Sequence, residues 1–398
     1  MKAKLWGFTG LVLVFFLCSL TLGAYAAKAP SVVKVGLVVP LTGKLAPFGE
    51  SSKAGVDLAA EFINKAGGVK GLGGAKIKII TMDSGSDPTS AASATLRLLS
   101  TEKVAGVIGC YASSLSLAAS EVTERNHVPF LTMSTTDILT NRGFKYLFQV
   151  VPKASVIGAA QVEQAVAIAK QTGHKIKRIA ILHEDTAYGS STAEGLATAA
   201  KRLGVKVVLD DGYPSGITDA TPLIEKVKLA KPDIIFPISY YTDAVLIIRS
   251  MRQAGLTIPV FGGAAGYVIP EFKKALGKYV NGILTIDYSS YDHYGKWGAA
   301  YQKKVGKFMP HEAFENLVCL YALVDAMNQA KTADPAKLGP VLHKIKMTGM
   351  PADGIPGGVQ FNKAGLNIKA YPITVQWQKG ELVSVWPKSY AKGKPYWP

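Results

Sequence analysis

Twice along this 398-residue chain, short strand-like apolar runs alternate with stretches patterned as helices, and that rhythm constrains the fold more than any other feature. In the first round, strands are expected at residues 32–40, 76–83, 105–109 and 129–133. Helices are expected between them at 52–66, 89–101 and 115–126. The first of these helices gathers Val56, Ala59, Ala60 and Ile63 on one face. Near-continuous apolar strands separated by helices are the pattern of a parallel sheet covered on both faces. Gly67-Gly68, Gly73-Gly74 and Asn141-Arg142-Gly143 punctuate the connections.

The rhythm restarts with a long helix at 154–172 and continues through strands at 178–183, 205–209, 233–238 and 260–261. Helices are expected at 188–203, 221–230 and 244–254, with Pro222 in a first turn, where its missing N–H costs nothing. This is a second α/β unit of similar plan, without detectable sequence repetition. Beyond Gly282 the order loosens into a strand at 283–288 and helices at 297–308, 315–330 and 335–345. A Pro/Gly-rich passage, "GMPADGIPGG", reads as a loop or crossing. The tail alternates apolar and polar residues around Lys379-Gly380, a hairpin signal. A hairpin closing an α/β chain returns to a lobe laid down earlier.

Residues 1–26 are set apart from this plan. Lys2 and Lys4 precede an apolar stretch at 11–17 and then Ala24-Tyr25-Ala26, the order of a cleavable secretory leader. The remaining chain is too long for one ordinary core, so two lobes are expected. Cys110 and Cys319, far apart in apolar surroundings, read as two buried free thiols. The formal net charge of +17 is carried by scattered lysines with no arginine–aromatic run. That is a solvated surface and not a nucleic-acid footprint.

Catalytic signatures are missing. The chain has no G-x-S-x-G elbow, no phosphate-binding P-loop and no H-E-x-x-H, and none of its six histidines is spaced for a metal. His183-Glu184 and His311-Glu312 are the best candidates for catalysis or ligation, with structural roles favoured for both. No cofactor and no metal site is expected.

Polar and aromatic residues recur instead where strands end, the edge at which open α/β sheets bind ligands. The stretch "IGCYASSLSLAAS" breaks from an apolar run into Ser113 and Ser114, and "PFLTMSTTDIL" repeats the change with Ser134, Thr135 and Thr136. Phe48 follows the first strand. In the second unit Tyr188, Tyr240, Tyr241 and "FGGAAGY" at 261–267 hold matching positions. Hydroxyls beside helix starts suit an anion such as a carboxylate. One half would grip a charged head and the other would close over it. Each residue also has a local reading: Ser114, Thr136 and Asp219 suit helix N-caps, and Phe48 and Tyr188 suit packing within their own lobes.

The chain from about Ala27 onward resembles the substrate-binding proteins of ABC importers of the branched-chain amino-acid (leucine/isoleucine/valine-binding) type. The resemblance runs through "KVGLVVPLTGKLAPFGESSKAGVDLAAEFINKAGGVKG", "VPFLTMSTTDILTNRGFKYLFQVVP", "RIAILHEDTAYG" and "DIIFPISYYTDAVLIIRSMRQAGL". It implies a type I periplasmic binding fold of two Rossmann-like lobes, a ligand cleft and three crossovers. On that plan 27–150 with 286–360 form lobe 1, which grips a carboxylate, and 151–285 with 361–398 form the closing lobe. The resemblance places the ligand carboxylate on Ser113. It gives Thr135 and Thr136 to the carboxylate and ammonium, Phe48 to the ligand side chain, and Tyr188 with Tyr240 or Tyr241 to closure.

Two departures stand out. The family's first-lobe disulfide would fall at about Ser86 and Ala112, so it is absent. The acid that pairs with a ligand ammonium would fall near Ala264. An ammonium buried without its counter-charge costs several kcal/mol, so the expected ligand is an aromatic or aliphatic acid lacking the α-amine. Asp243 or Glu271 replacing the missing acid would restore a true amino-acid binder. The implied partners are a permease and ATPase in the inner membrane, and the expected protein is a monomer in the periplasm. The alternative is a sensor that reports to a membrane receptor.

Overall fold

The computed structural model describes residues 30–398; the leader expected at 1–26 lies outside the described residues. The first unit contains β1 (Val32–Val39), α1 (Ala46–Lys65), β2 (Lys76–Asp83), α2 (Pro88–Thr101), β3 (Val107–Gly109), α3 (Ser113–Arg125), β4 (Phe130–Thr132), α4 (Ile138–Asn141) and β5 (Leu147–Gln149). Its five strands are parallel in the order β2-β1-β3-β4-β5. Val35, Leu37, Val38 and Val39 of the central β1 are all buried. A strand sandwiched between helix layers has no solvent face, which is why its apolar run is unbroken. Each such side chain contributes about 1.5–3 kcal/mol of burial.

Helix α1 begins at Ala46, six residues before the expected start. Pro47, Gly49 and two serines give this segment the composition of a loop. Pro47 instead occupies the first turn, where proline is tolerated. A side chain at Gly49 would collide with the Pro40 carbonyl, so glycine lets the helix start close against the end of β1. Phe48 therefore stands on a helix and is fully buried.

The second unit runs α5 (Ala154–Gln171), β6 (Arg178–Glu184), α6 (Ala187–Arg202), β7 (Lys206–Tyr213), α7 (Thr221–Ala230), β8 (Ile234–Ile238), α8 (Tyr241–Gln253), β9 (Phe261–Gly263), α9 (Ala264–Tyr267), α10 (Pro270–Leu276) and β10 (Leu284–Asp287). Strands β7-β6-β8 are parallel neighbours, and a bridge between Ile235 and Val260 carries the sheet on to β9 and β10.

After β10 the chain returns to the first unit with α11 (Lys296–Val305), α12 (His311–Ala330) and α13 (Pro335–Leu342). Helix α12 packs along α1 so closely that a side chain at Gly55 would overlap the Ala313 carbonyl, and Asn316 Nδ2 donates to Ser52 Oγ at 3.1 Å. A short antiparallel pair follows, β11 (Lys346–Met347) with β12 (Val359–Gln360). The final hairpin, β13 (Ile373–Gln378) and β14 (Glu381–Trp386), turns at Lys379-Gly380 and adds β13 antiparallel to β10 in the second sheet.

One boundary moves. Residues 361–367, expected in the closing lobe, lie on the first sheet. Gln149 N–H donates to the Gly365 carbonyl at 2.8 Å, Asn367 N–H returns to the Gln149 carbonyl at 2.9 Å, and Asn367 Nδ2 reaches the Val150 carbonyl. The Pro/Gly-rich composition upstream marks irregular backbone but not the side of the cleft on which that backbone lies. Strand β10 likewise completes its pairing at Asp287, inside the second sheet. The chain thus passes between the two units at 150–153, 288–295 and 368–372. Among the described residues no helix is long and apolar enough to cross a membrane.

Candidate functional site

Between the two units lies a small cavity. The first unit lines it with Tyr111, Ser113, Met133, Ser134 and Thr135 from the ends of β3 and β4. The second contributes Tyr188, Tyr240, Ala265 and Tyr288 from the ends of β6, β8, β9 and β10. No acidic or basic side chain stands on the cavity wall.

The hydroxyl-rich stretches divide their work. Ser116 Oγ accepts from Cys110 N–H at 2.8 Å and bonds to Ser134 Oγ at 2.7 Å, while Ser134 Oγ donates to the Tyr111 carbonyl. This buried network fixes the ends of β3 and β4 to each other. Ser113 Oγ accepts from Thr136 N–H at 3.2 Å, which leaves its own proton free to donate into the cavity. Helix α3 has Ala112 before it and no side-chain cap, so the residue before the helix does not consume the N–H groups of its first turn. Hydroxyl, free N–H groups and helix dipole converge as a carboxylate would need.

Tyrosine rings form the rest of the wall. Phe48 stacks on Tyr111 with ring centres 4.2 Å apart and meets Tyr240 edge-on at 6.2 Å. Tyr240 also lies 6.0 Å from Tyr111 and 5.4 Å from Tyr188. Burial raises the pKa values of Tyr111, Tyr188, Tyr240 and Tyr288 well above the ordinary phenol range, so all four are neutral hydrogen-bonding groups. The hydroxyls of Tyr111 and Tyr188 are buried and have no protein partner.

Of the residues expected here, Ser113, Ser134, Thr135, Tyr188 and Tyr240 come together on the wall. Phe48 does not; it backs the Tyr111 ring from inside α1. Tyr241 opens α8, half-buried and away from the cavity. Ser114 is also only half-buried, because successive helix residues turn about 100° apart and only one of the pair can face the cavity. Thr136 bonds across to Ser191 of α6 at 3.0 Å and so joins the two units beside the cavity. Ala264 is buried but yields its wall position to Ala265, whose backbone sits at φ 21 and ψ −107, an unusual conformation for alanine.

Sequence reasoning missed Tyr111, Met133, Ala265 and Tyr288. Tyr111 and Met133 lie inside the two stretches that drew notice for their hydroxyls, and Tyr288 follows a strand end, where the same rule applies. Neither proposed substitute acid reaches the wall. Asp243 accepts from Gly216 N–H at 2.9 Å, and burial raises its pKa. Glu271 pairs with Lys307 at 2.6 Å. Glu184 accepts from Thr186 N–H, Thr186 Oγ1 and Gly189 N–H, tying down the start of α6. Ser86, at the expected disulfide position, accepts from Leu45 N–H and donates to the Thr42 carbonyl, holding the loop before α1 by hydrogen bonds. Asp219 accepts from Thr221 N–H at 2.8 Å just before α7.

The profile of the family described as "Periplasmic binding protein" matches residues 32–381. The Leu/Ile/Val-binding protein homolog 8 of Brucella abortus is 31% identical over 91% of this chain and 92% of its own length. The chain belongs to the periplasmic binding proteins of the Leu/Ile/Val type. A leucine-binding protein of Thermotoga maritima superposes with a TM-score of 0.79 at 26% identity, covering 89% of this chain and 97% of that one. A solute-binding protein of R. palustris in complex with benzoate shares the fold, with a TM-score of 0.77 at 20% identity over 89% and 95% of the two chains. The two units are therefore the lobes of a type I periplasmic binding fold, and the cavity lies in its interlobe cleft. The protein is a substrate-binding protein of the branched-chain amino-acid ABC transporter type and not an enzyme.

Proposed function

We propose that this binding protein captures a small carboxylate lacking the α-amine, an aromatic or aliphatic acid, by closing its lobes, and hands it to an inner-membrane permease and ATPase. The observation that carries this reading is the cavity wall: hydroxyls and a free helix start at one end, neutral tyrosines at the other, and no carboxylate for an ammonium. The Thr135 carbonyl also already accepts from Ala154 N–H at 2.7 Å, which reduces what remains for a ligand amine. The benzoate complex of the R. palustris protein is in keeping with an amine-free acid in this fold.

In this account lobe 1 comprises residues 30–150 with 296–367, and the remainder closes over it. Ser113, Thr135 and the first turn of α3 hold the carboxylate; Tyr188 and Tyr240 arrive with the second lobe. A ligand favours closure only through contacts better made in the closed state, so these two tyrosines govern closure. The leader at 1–26 delivers the protein to the periplasm, where it acts as a monomer. Denaturing the purified protein and identifying the released small molecules by mass spectrometry tests the ligand class. A carboxylic acid without an amine is expected; stoichiometric recovery of an amino acid overturns the reading.

A further inference from the structure

Behind the tyrosine wall lies a second set of groups that ligand capture does not use. Asp287 ends β10 in the second lobe; His311, Glu312 and Glu315 occupy the first turns of α12 in the first. All four are buried. His311 Nδ1 lies 3.0 Å from Asp287 Oδ1 and 3.9 Å from Glu315 Oε1, and donor atoms of these three residues all fall within 4.8 Å of one another. On the far edge of the ring, His311 Nε2 lies 3.5 Å from Glu312 Oε2. The only cation paired with any of the three carboxylates among the described residues is His311.

We propose that Asp287, His311 and Glu315 form a binding site for a divalent transition-metal ion, with Zn²⁺ or Mn²⁺ as the fitting class.

Three observations support it independently. Glu315 Oε2 is buried and has no hydrogen-bond partner, an arrangement that is costly unless something binds it. A small cavity has Asp287 and His311 on its wall. The surroundings also match a metal site beyond its direct ligands. A ligating imidazole ordinarily donates its other N–H to a carboxylate, and Glu312 stands where it would receive that proton. Tyr288 N–H donates to Asp287 Oδ1 and Ser289 Oγ to Glu315 Oε1, both at 2.8 Å, orienting the two carboxylates. Two carboxylate charges balance a divalent ion, and a mixed oxygen and imidazole set favours Zn²⁺ or Mn²⁺ over Ca²⁺.

The site bridges the lobes at a crossover. His311 also packs against two wall residues, 6.4 Å from the Tyr111 ring and 5.5 Å from that of Tyr288. An ion here would tie the closing lobe to α12 directly behind the ligand.

The test is calorimetric titration of the whole protein, stripped with chelator, using Zn²⁺ alone and then Mn²⁺ and Ca²⁺, together with the visible spectrum of the Co²⁺-loaded protein. One ion per chain is expected, with ligand-field bands that move in Glu315→Gln and Asp287→Asn. Glu312→Gln leaves the ligands in place and is expected to weaken Zn²⁺ binding by about 10–100-fold. His183→Gln, away from the cluster, should bind like the parent. Failure of the parent to bind Zn²⁺ or Mn²⁺, or binding unchanged in Glu315→Gln and Glu312→Gln, overturns the proposal. Should a charge-removing variant fail to fold, the parent's stoichiometry and Co²⁺ spectrum still decide.

Discussion

Ser113 offers the cavity a hydroxyl proton whose direction is set by the N–H it accepts from Thr136. Removing it by Ser113→Ala deletes one bond to a charged oxygen, worth about 1.5–3 kcal/mol. Titration calorimetry should show the carboxylate bound roughly 10–100-fold more weakly, and the free protein should lose about 1–3 kcal/mol of stability because the buried Thr136 N–H is left without its acceptor. Tyr188→Phe removes a buried hydroxyl that has no protein partner. If that hydroxyl meets the ligand, affinity falls while the free protein loses no stability; a loss of stability without a loss of affinity would assign it to the lobe interior. Cys110 and Cys319 are fully buried. Burial raises both thiol pKa values above the usual range, that of Cys319 far above it. Thiolate is the reactive form, so a colourimetric thiol reagent should label neither in the native protein and both after denaturation.

At the scale of elements, the contact of α1 with α12 is set by a glycine. Gly55→Ala places a methyl against the Ala313 backbone, and such overpacking costs about 1–3 kcal/mol. Urea unfolding should show the midpoint lowered by a corresponding amount with the slope preserved. The strands and helices were legible in the sequence because each carries its own periodicity: Lys76–Asp83 and Thr221–Ala230 fall where the pattern places them. Helix α1 was read short because Pro47, Gly49 and the serines look like a loop when their packing partners are unknown. The strand-end rule brought five expected residues to the cavity and passed over Tyr288, which obeys the same rule. The choice between Tyr240 and Tyr241 depends on where α8 begins, a matter of one residue that sequence pattern does not resolve. The grouping of Asp287 with His311, Glu312 and Glu315 was illegible, because 24 residues and a lobe crossing separate Asp287 from His311.

For the whole molecule, polar contacts also join the two lobes outside the cavity, among them Lys307 with Glu271 and Ser155 with Asp137. Lys44 Nζ reaches the Ser215 carbonyl at 2.9 Å and Thr136 meets Ser191. Lys44 is exposed and its bond is worth little in water, so Lys44→Ala should shift ligand affinity less than threefold, whereas Thr136→Val, at a half-buried contact, should open the closed form measurably by small-angle scattering. A ligand that binds only the folded protein raises its stability by about 2.7 kcal/mol at one hundred times Kd, visible as a higher Tm. The central claim is that the cavity takes a carboxylate and rejects the ammonium beside it. Calorimetric titration of refolded, ligand-free protein with leucine and with 4-methylpentanoate, the same skeleton without its amine, addresses that claim most directly. An unpaired buried ammonium costs several kcal/mol, so the account predicts that the acid binds and that leucine binds about 100-fold more weakly or not at all. Leucine binding as tightly as the acid, or more tightly, would contradict it.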